Sequence, residues 1–212
     1  MIAFENVNYS AGGKKIFKNF SFSVKKGEKV LVYGKSGSGK TSVLRLILGF
    51  ARPGSGRIMF KGGELGPQRV KEVRKSTSYV PQELSMGRGT AEGVIKEILG
   101  FRANAGNEFS RKKLKRFAGI FGLDSGVIDT DISDISGGEK QRLNIILSLM
   151  LSREIFLLDE ITSALDKKTK KTVIDYFMNK KKWTCICVSH DPGWLRAKNI
   201  RVVRIGGKNG SR

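Results

Sequence analysis

The stretch Gly34-Lys35-Ser36-Gly37-Ser38-Gly39-Lys40-Thr41 constrains the fold more than any other part of the chain, because it reads G-x-x-x-x-G-K-T. Glycines at 34, 37 and 39 let the backbone turn tightly and bring bare N–H groups close to an anion. The apolar run Val30-Leu31-Val32-Tyr33 before it predicts a buried strand, and Ser42-Val43-Leu44-Arg45-Leu46-Ile47-Leu48 after it predicts a helix packed on that strand. A strand, a loop and a helix in that order place phosphates at a helix N-terminus, where unpaired N–H groups and the dipole both favour negative charge. Lys40 then reaches the β- and γ-phosphates, the Thr41 hydroxyl ligates Mg²⁺, and Ser42 completes the nucleotide-binding stretch.

With 212 residues the chain has room for one domain with a real core, and 39% hydrophobic against 28% charged residues is ordinary for a globular protein. The charge is not ordinary: 40 Lys and Arg against 19 Asp and Glu give +21, which favours nucleotides, nucleic acid or an anionic membrane face. Taken singly, each lysine reads as part of a solvated helix face. Cys185 and Cys187 stand at i and i+2, a poor disulfide spacing on a strand, so buried reduced thiols are expected. No signal peptide is visible at the start, and the longest apolar stretch, Leu143 to Leu151, is too short to span a bilayer. A membrane role therefore calls for a partner.

The remaining pattern alternates strands and helices. Ile2-Ala3-Phe4 and Ile16 to Val24 predict strands, with Lys26-Gly27-Glu28 as a hairpin-type turn. Arg57 to Phe60 predicts a strand ended by Gly62-Gly63, and Ser78 to Val80 another that leads to Pro81-Gln82. Thr90 to Leu99 and Arg111 to Phe121 have helical spacing and predict a small helical insert over about 83–135, leading into a helix at 139–151. Ile155 to Leu158, Thr184 to Val188 and Arg201 to Ile205 predict buried strands, with a lysine-rich amphipathic helix over Asp166 to Lys180. The expectation is an α/β fold with a mainly parallel sheet, in one domain over 1–212, with loose structure only in the tail from Gly206.

Three further clusters carry chemistry. Asp159-Glu160 follows a predicted strand, and ligands of open α/β sheets gather at such carboxyl ends. One acid there can hold the Mg²⁺ on Thr41 and the other can polarise an attacking water; the alternative is a pair of solvated loop carboxylates. His190, the only histidine, also falls at a strand end, which favours a functional over a structural reading. Ser136-Gly137-Gly138 opens the helix near Glu139, either as a plain N-cap or as a second anion site. One ATP cannot be served by two distant helix N-termini of one chain, but a second chain can supply the other.

With these motifs in place, the chain resembles an ATP-binding cassette (ABC) ATPase subunit. The P-loop, Gln82, Ile135-Ser136-Gly137-Gly138-Glu139-Lys140-Gln141-Arg142, Ile155 to Glu160, Ser163-Ala164-Leu165-Asp166 and His190 occur in that family's order and spacing. The resemblance implies a P-loop NTPase (RecA-like) core with an N-terminal antiparallel β-subdomain and a small helical subdomain. It implies that Tyr9 stacks on adenine, and that Gln82 contacts Mg²⁺ or water and senses the γ-phosphate. Glu160 is then the catalytic base and His190 the γ-phosphate sensor. Ser136 and Gly138 close over ATP held by the opposite subunit, and Asp166 lies in the loop that crosses the dimer interface. Glu139 departs from the family's commoner Gln and puts only fine nucleotide contacts in question.

The expectation is thus an ATP-hydrolysing subunit, cytoplasmic and peripheral on the inner face of a bacterial membrane. It forms a homodimer when ATP is bound and drives a separate polytopic membrane subunit. Details around 139–142 and 159–166 look most like small two-component exporters, metal-ion exporters included. The alternative is an ABC ATPase acting on nucleic acid or the ribosome, which the charge favours. The short, cysteine-free stretch between Gln82 and Ser136 and the single cassette speak against it.

Overall fold

Sequence pattern separates the strands into two kinds, and the computed structural model, which describes residues 1–83 and 87–206, places them in two sheets. The expectation of a loose tail falls, apart from Gly206, outside the described residues. Strands that alternate buried and exposed residues form an antiparallel sheet: β1 (Ile2–Ala11), β2 (Lys14–Val24), and, after an intervening segment, Ser55–Phe60 and Gly63–Glu64. Phe4, Phe17, Phe20 and Phe22 stack along one face of it.

Three strands buried at nearly every position, Lys29–Tyr33, Ile155–Asp159 and Thr184–Ser189, form with Thr77–Val80 and the half-exposed edge strand Ile200–Arg204 a second, wholly parallel sheet. Numbered along the chain, β3 is Lys29–Tyr33, and β4 and β5 are the Ser55–Phe60 and Gly63–Glu64 strands of the first sheet. The others of the parallel sheet are β6 (Thr77–Val80), β7 (Ile155–Asp159), β8 (Thr184–Ser189) and β9 (Ile200–Arg204). The spatial order in the parallel sheet is β6-β7-β8-β3-β9. The carboxyl ends of β7, β8 and β3 therefore lie side by side, and that is where Asp159-Glu160, His190 and the glycine-rich loop emerge.

Lys26-Gly27-Glu28 is not a hairpin. β2 pairs with β1, whereas β3 pairs with β8 and β9, so the turn crosses from one sheet to the other. The physical reason is that Val30, Leu31 and Val32 are completely buried and need a covered, central position. The Gly27 N–H donates to Thr184 Oγ1 at 2.8 Å and ties the crossing down.

The helices are α1 (Lys40–Ile47), α2 (Pro67–Ser76), α3 (Ala91–Gly100), α4 (Arg111–Ile120), α5 (Gly137–Met150) and α6 (Lys167–Met178). Thr90 caps α3 by accepting from the Gly93 N–H, and Ser110 caps α4 by accepting from the Lys113 N–H. α5 starts two residues earlier than the apolar spacing predicts, and α6 starts after Asp166, which is its cap. The helical insert packs Val94, Ile95, Leu99, Leu114 and Phe117 around Leu143, Ile146 and Leu147 of α5, whose other side lies on the parallel sheet. α2 was not predicted: it buries only Val73, so its polar sequence carries no apolar stripe. Cys185 and Cys187 are free and buried as expected; burial pushes the Cys185 thiol up to about 12 and Cys187 well above its ordinary value.

The insert is fastened to the core by one guanidinium. Arg153 donates to the carbonyls of Arg74 at 3.0 Å and Thr77 at 2.5 Å, and to Asn104 Oδ1 at 2.5 Å. Replacing Arg153 with Met leaves those acceptors without a donor, and hydrogen bonds to charged groups are each worth up to about 3 kcal/mol. Arg153→Met is expected to lower the unfolding free energy by about 2 kcal/mol, read as a lower urea midpoint.

Candidate functional site

The glycine-rich loop acquires its shape from the strand before it and the packing around it. Gly39, at the N-terminus of α1, has φ 94°, and a Cβ there would lie 2.3 Å from Ile16 Cγ2. Only glycine allows both the left-handed backbone and that approach. No side chain caps α1, so its first N–H groups face the cleft without a side-chain partner. The cleft has a volume of about 260 Å³, is lined by Ile16, Ser36, Gly37, Lys40, Thr41 and Glu160, and also touches Gly39, Ser42 and Gln82. Bare helical N–H groups, a lysine and a hydroxyl around such a space are the chemistry of a phosphate site.

Lys40 is buried and bends back over the loop. Its Nζ donates to the carbonyls of Gly34 at 3.0 Å and Lys35 at 3.1 Å, and lies 3.2 Å from Glu160 Oε1. Glu160 has φ 48° and carries a carboxylate with four donors around it. Oε1 meets Lys40 and His190 Nδ1, the latter at 2.9 Å, while Oε2 accepts from Ser189 Oγ at 3.1 Å and the His190 N–H at 3.3 Å. Burial alone would raise the Glu160 carboxyl, but the hydrogen bonds and charges of His190 and Lys40 outweigh it and hold the group below its ordinary value.

Asp159 behaves in the opposite sense. It is buried, its Oδ1 accepts from Thr41 Oγ1 at 3.0 Å and its Oδ2 from the Tyr79 hydroxyl at 3.2 Å. Burial dominates there and, with the neighbouring Glu160 charge, raises its carboxyl in spite of those two bonds. Burial first, then the Asp159 charge and hydrogen bond, push the Tyr79 phenol well above its ordinary value, so it stays a donor. Thr41 lines the phosphate cleft, and its hydroxyl has an Asp159 carboxylate oxygen directly behind it. That donor set fits Mg²⁺, which is commonly held by one or two carboxylates together with substrate phosphates. Among the described residues no group of three or more His, Cys, Asp or Glu forms a cage that would hold a metal without a nucleotide.

The second helix N-terminus is built differently. Ser136 caps α5 and forms a capping box with Glu139: the Glu139 N–H donates to Ser136 Oγ, while Glu139 Oε2 accepts from the Ser136 N–H at 3.0 Å and its hydroxyl at 2.5 Å. Those bonds hold the Glu139 carboxyl below its ordinary value. A Cβ on Gly138 would lie 3.1 Å from the Ala164 carbonyl, so the glycine lets α5 approach the loop before Asp166. Gln82 borders both this region and the phosphate cleft, since it also lines a space of about 290 Å³ with Gly137, Lys140, Gln141, Ser163 and Ala164.

The structure brings Lys40, Thr41, Asp159, Glu160, Gln82 and His190 to one end of the parallel sheet. It keeps Tyr9 on β1, its ring 6.3 Å from that of Phe17, and Asp166 at the cap of α6, where it accepts from the Lys168 and Thr169 N–H groups. Sequence reasoning missed Tyr79, Ser189 and Ile16. Tyr79 and Ser189 fall on predicted strands or their ends, so a strand-end rule could have found them; Ile16 reads only as a core residue.

Known proteins resemble this chain in sequence and in fold. The family model described as "ABC transporter" matches residues 17–163. The probable iron export ATP-binding protein FetA of Escherichia coli (strain K12) is 31% identical over 90% of this chain and 85% of its own length. The ergothioneine transport ATP-binding protein EgtV of Helicobacter pylori (strain G27) is 31% identical over 90% of each. Among solved structures, the dimeric ATP-binding cassette MJ0796, in a post-hydrolysis state bound to ADP and Pi, superposes with a TM-score of 0.81 at 25% identity, covering 97% of this chain and 94% of that one. None of these descriptions supports the nucleic-acid alternative.

The Lys40–Glu160 contact has a signature in acid. A carboxyl held below its ordinary 4.5 stabilises the fold above that pH and loses the contribution as pH falls through the lower folded value. Glu160→Gln is therefore expected to be less stable than the natural chain at about pH 7, with the gap closing below about pH 4. Urea denaturation at both pH values reads it, and a gap that stays constant contradicts the buried pair.

Proposed function

The chain belongs to the ABC transporter family, and on that premise we propose that it is the ATP-hydrolysing subunit of a bacterial membrane transporter. It works as a homodimer when ATP is bound and drives a separate polytopic membrane subunit. The observation that carries this reading is the convergence of Lys40, Asp159-Glu160 and His190 at the carboxyl ends of β3, β7 and β8, with Lys40 and His190 both on the Glu160 carboxylate. The proposed place of the chain is peripheral, on the cytoplasmic face beside that membrane subunit; no helix among the described residues is long and apolar enough to cross a membrane. The similarity to FetA favours export.

In this reading the loop Gly34 to Thr41, with Ser42, cradles the phosphates of ATP, and Tyr9 stacks on the adenine. Lys40 turns from the Gly34 and Lys35 carbonyls and from Glu160 toward the β- and γ-phosphates. That exchange removes the ammonium from Glu160 Oε1, so nucleotide binding itself frees the base. Glu160 accepts the proton of the attacking water, oriented by Ser189 and by the His190 N–H. His190 keeps Nδ1 on Glu160 and presents its other ring nitrogen to the γ-phosphate side. Thr41 and Asp159 would hold Mg²⁺, which supplies charge neutralisation on the phosphates when bound. Ser136, Gly137, Gly138 and Glu139 cover ATP held by the second subunit, and Asp166 lies at the subunit boundary. Gln82, touching both regions, links the phosphate site to the surface that meets the membrane subunit.

Glu160→Gln tests this directly. Turnover is expected to fall at least about 100-fold, as for loss of a general base, with ATP binding retained. Light scattering should show a dimer in ATP, and a polytopic membrane protein should co-purify from detergent-solubilised source cells. Recovery of ribosomes or DNA and no membrane protein overturns the transport role.

A further inference from the structure

Asp159 is a buried carboxylate whose two oxygens are not alike. Oδ1 accepts from the hydroxyl of Thr41, which lines the phosphate cleft, while Oδ2 has one hydrogen-bond donor among the described residues, the Tyr79 hydroxyl at 3.2 Å. The cations and hydroxyls nearby are committed elsewhere: Lys40 to Gly34, Lys35 and Glu160, and Ser189 to Glu160. Tyr79 is set in place by the sheet. It lies on β6 opposite Leu157 of β7, with Val80 opposite Leu158, so its ring runs beside the strand end that carries Asp159. The ring is half-buried against the apolar core of the antiparallel side, and β6 continues directly into Pro81 and Gln82.

We propose that Tyr79 is a positioning residue for the metal-binding carboxylate: its hydroxyl fixes Asp159 Oδ2, so that Oδ1 faces Thr41 and the Mg²⁺ that accompanies the nucleotide. The inference rests on the metal role given to Thr41 and Asp159 above. Groups that hydrogen-bond a metal's ligands orient them, and their loss typically costs about 10- to 100-fold in metal affinity. Without the phenol, Oδ2 is a buried acceptor with no donor, and the carboxylate can turn about its last torsion to seek one. Tyr79 also makes the strand that delivers Gln82 report on the state of the metal carboxylate, since ring and loop are three residues apart.

Tyr79→Phe keeps the ring and removes only the hydroxyl. ADP affinity is measured by titration calorimetry in excess Mg²⁺ and in excess EDTA, for the natural chain, Tyr79→Phe and Asp159→Asn. The expected result is an unchanged metal-free affinity in Tyr79→Phe, with the gain conferred by Mg²⁺ reduced by about tenfold. An undiminished gain overturns the inference. An equal loss with and without metal overturns it as well, because that is the mark of a merely structural hydroxyl. The metal reading itself fails separately: in that case Asp159→Asn retains the full Mg²⁺ gain of the natural chain.

Discussion

A buried ammonium between two strand ends is the contact on which the site depends. Lys40 follows β3 and Glu160 follows β7, and β8 lies between them in the sheet. Neighbouring strands stand about 4.8 Å apart, so β3 and β7 are separated by about 10 Å. A lysine and a glutamate can close that gap side chain to side chain, and they do so at 3.2 Å. β8 delivers Ser189 and His190 into the middle of the span, where both donate to the same carboxylate. Strand order thus fixes which groups can share one charge. The parallel sheet must be assembled in the order β7-β8-β3 before any of these residues is a site at all.

How much of this was legible in the sequence follows from how each element is stabilised. The central strands and the loop after β3 could be read because burial on both faces leaves uninterrupted apolar runs, and because tight phosphate loops demand glycine. β1 was read as three residues although it extends over Ile2–Ala11. Its pairing with β2 shifts register between Phe4 and Val7 and again near Tyr9, and Asn6 has φ 50°, so the alternation breaks partway. α2 escaped because a helix that buries one valine has no periodic signal. The crossing at Gly27 escaped because a turn motif does not say whether its two strands share a sheet. Tyr79 escaped for a related reason: its partner lies 80 positions along the chain and is set by sheet order.

The residue that departs from the family's usual signature is accommodated by helix physics. Glu139 occupies the N3 position of α5, where a carboxylate can return to the cap and where the helix dipole favours it. Its bonds to Ser136 hold the carboxylate on its own helix. A serine hydroxyl has a single proton, however, and here it is given to Glu139. A phosphate that recruits Ser136 has to draw that proton away from a carboxylate, whereas with a glutamine it would compete with a neutral amide. The large positive charge is a separate matter. Lys167, Lys168 and Lys171 on α6 and Lys180 to Lys182 after it are exposed, and exposed ion pairs such as Lys171–Asp175 add little stability. The fold does not require that charge.

Two adjacent carboxylates in one site invite the question of why they do not compete. Asp159 is the last residue of β7 and keeps strand geometry, so its side chain turns toward β6 and the Thr41 hydroxyl. Glu160 takes a left-handed backbone with φ 48°, an uncommon conformation for a residue with a side chain, and this swings its carboxylate toward β8 and Lys40. The divergence shows in their protonation. Burial raises Asp159, while donors and a cation lower Glu160. Asp159 is a carboxylate that burial leaves short of positive charge, a shortage that the Mg²⁺ proposed beside Thr41 would relieve. Glu160 is supplied with charge by Lys40, and under the proposed mechanism ATP would draw that ammonium away and leave Oε1 with His190 alone. The backbone twist between two consecutive residues therefore sends one carboxylate to Thr41 and Tyr79 and the other to Lys40 and His190.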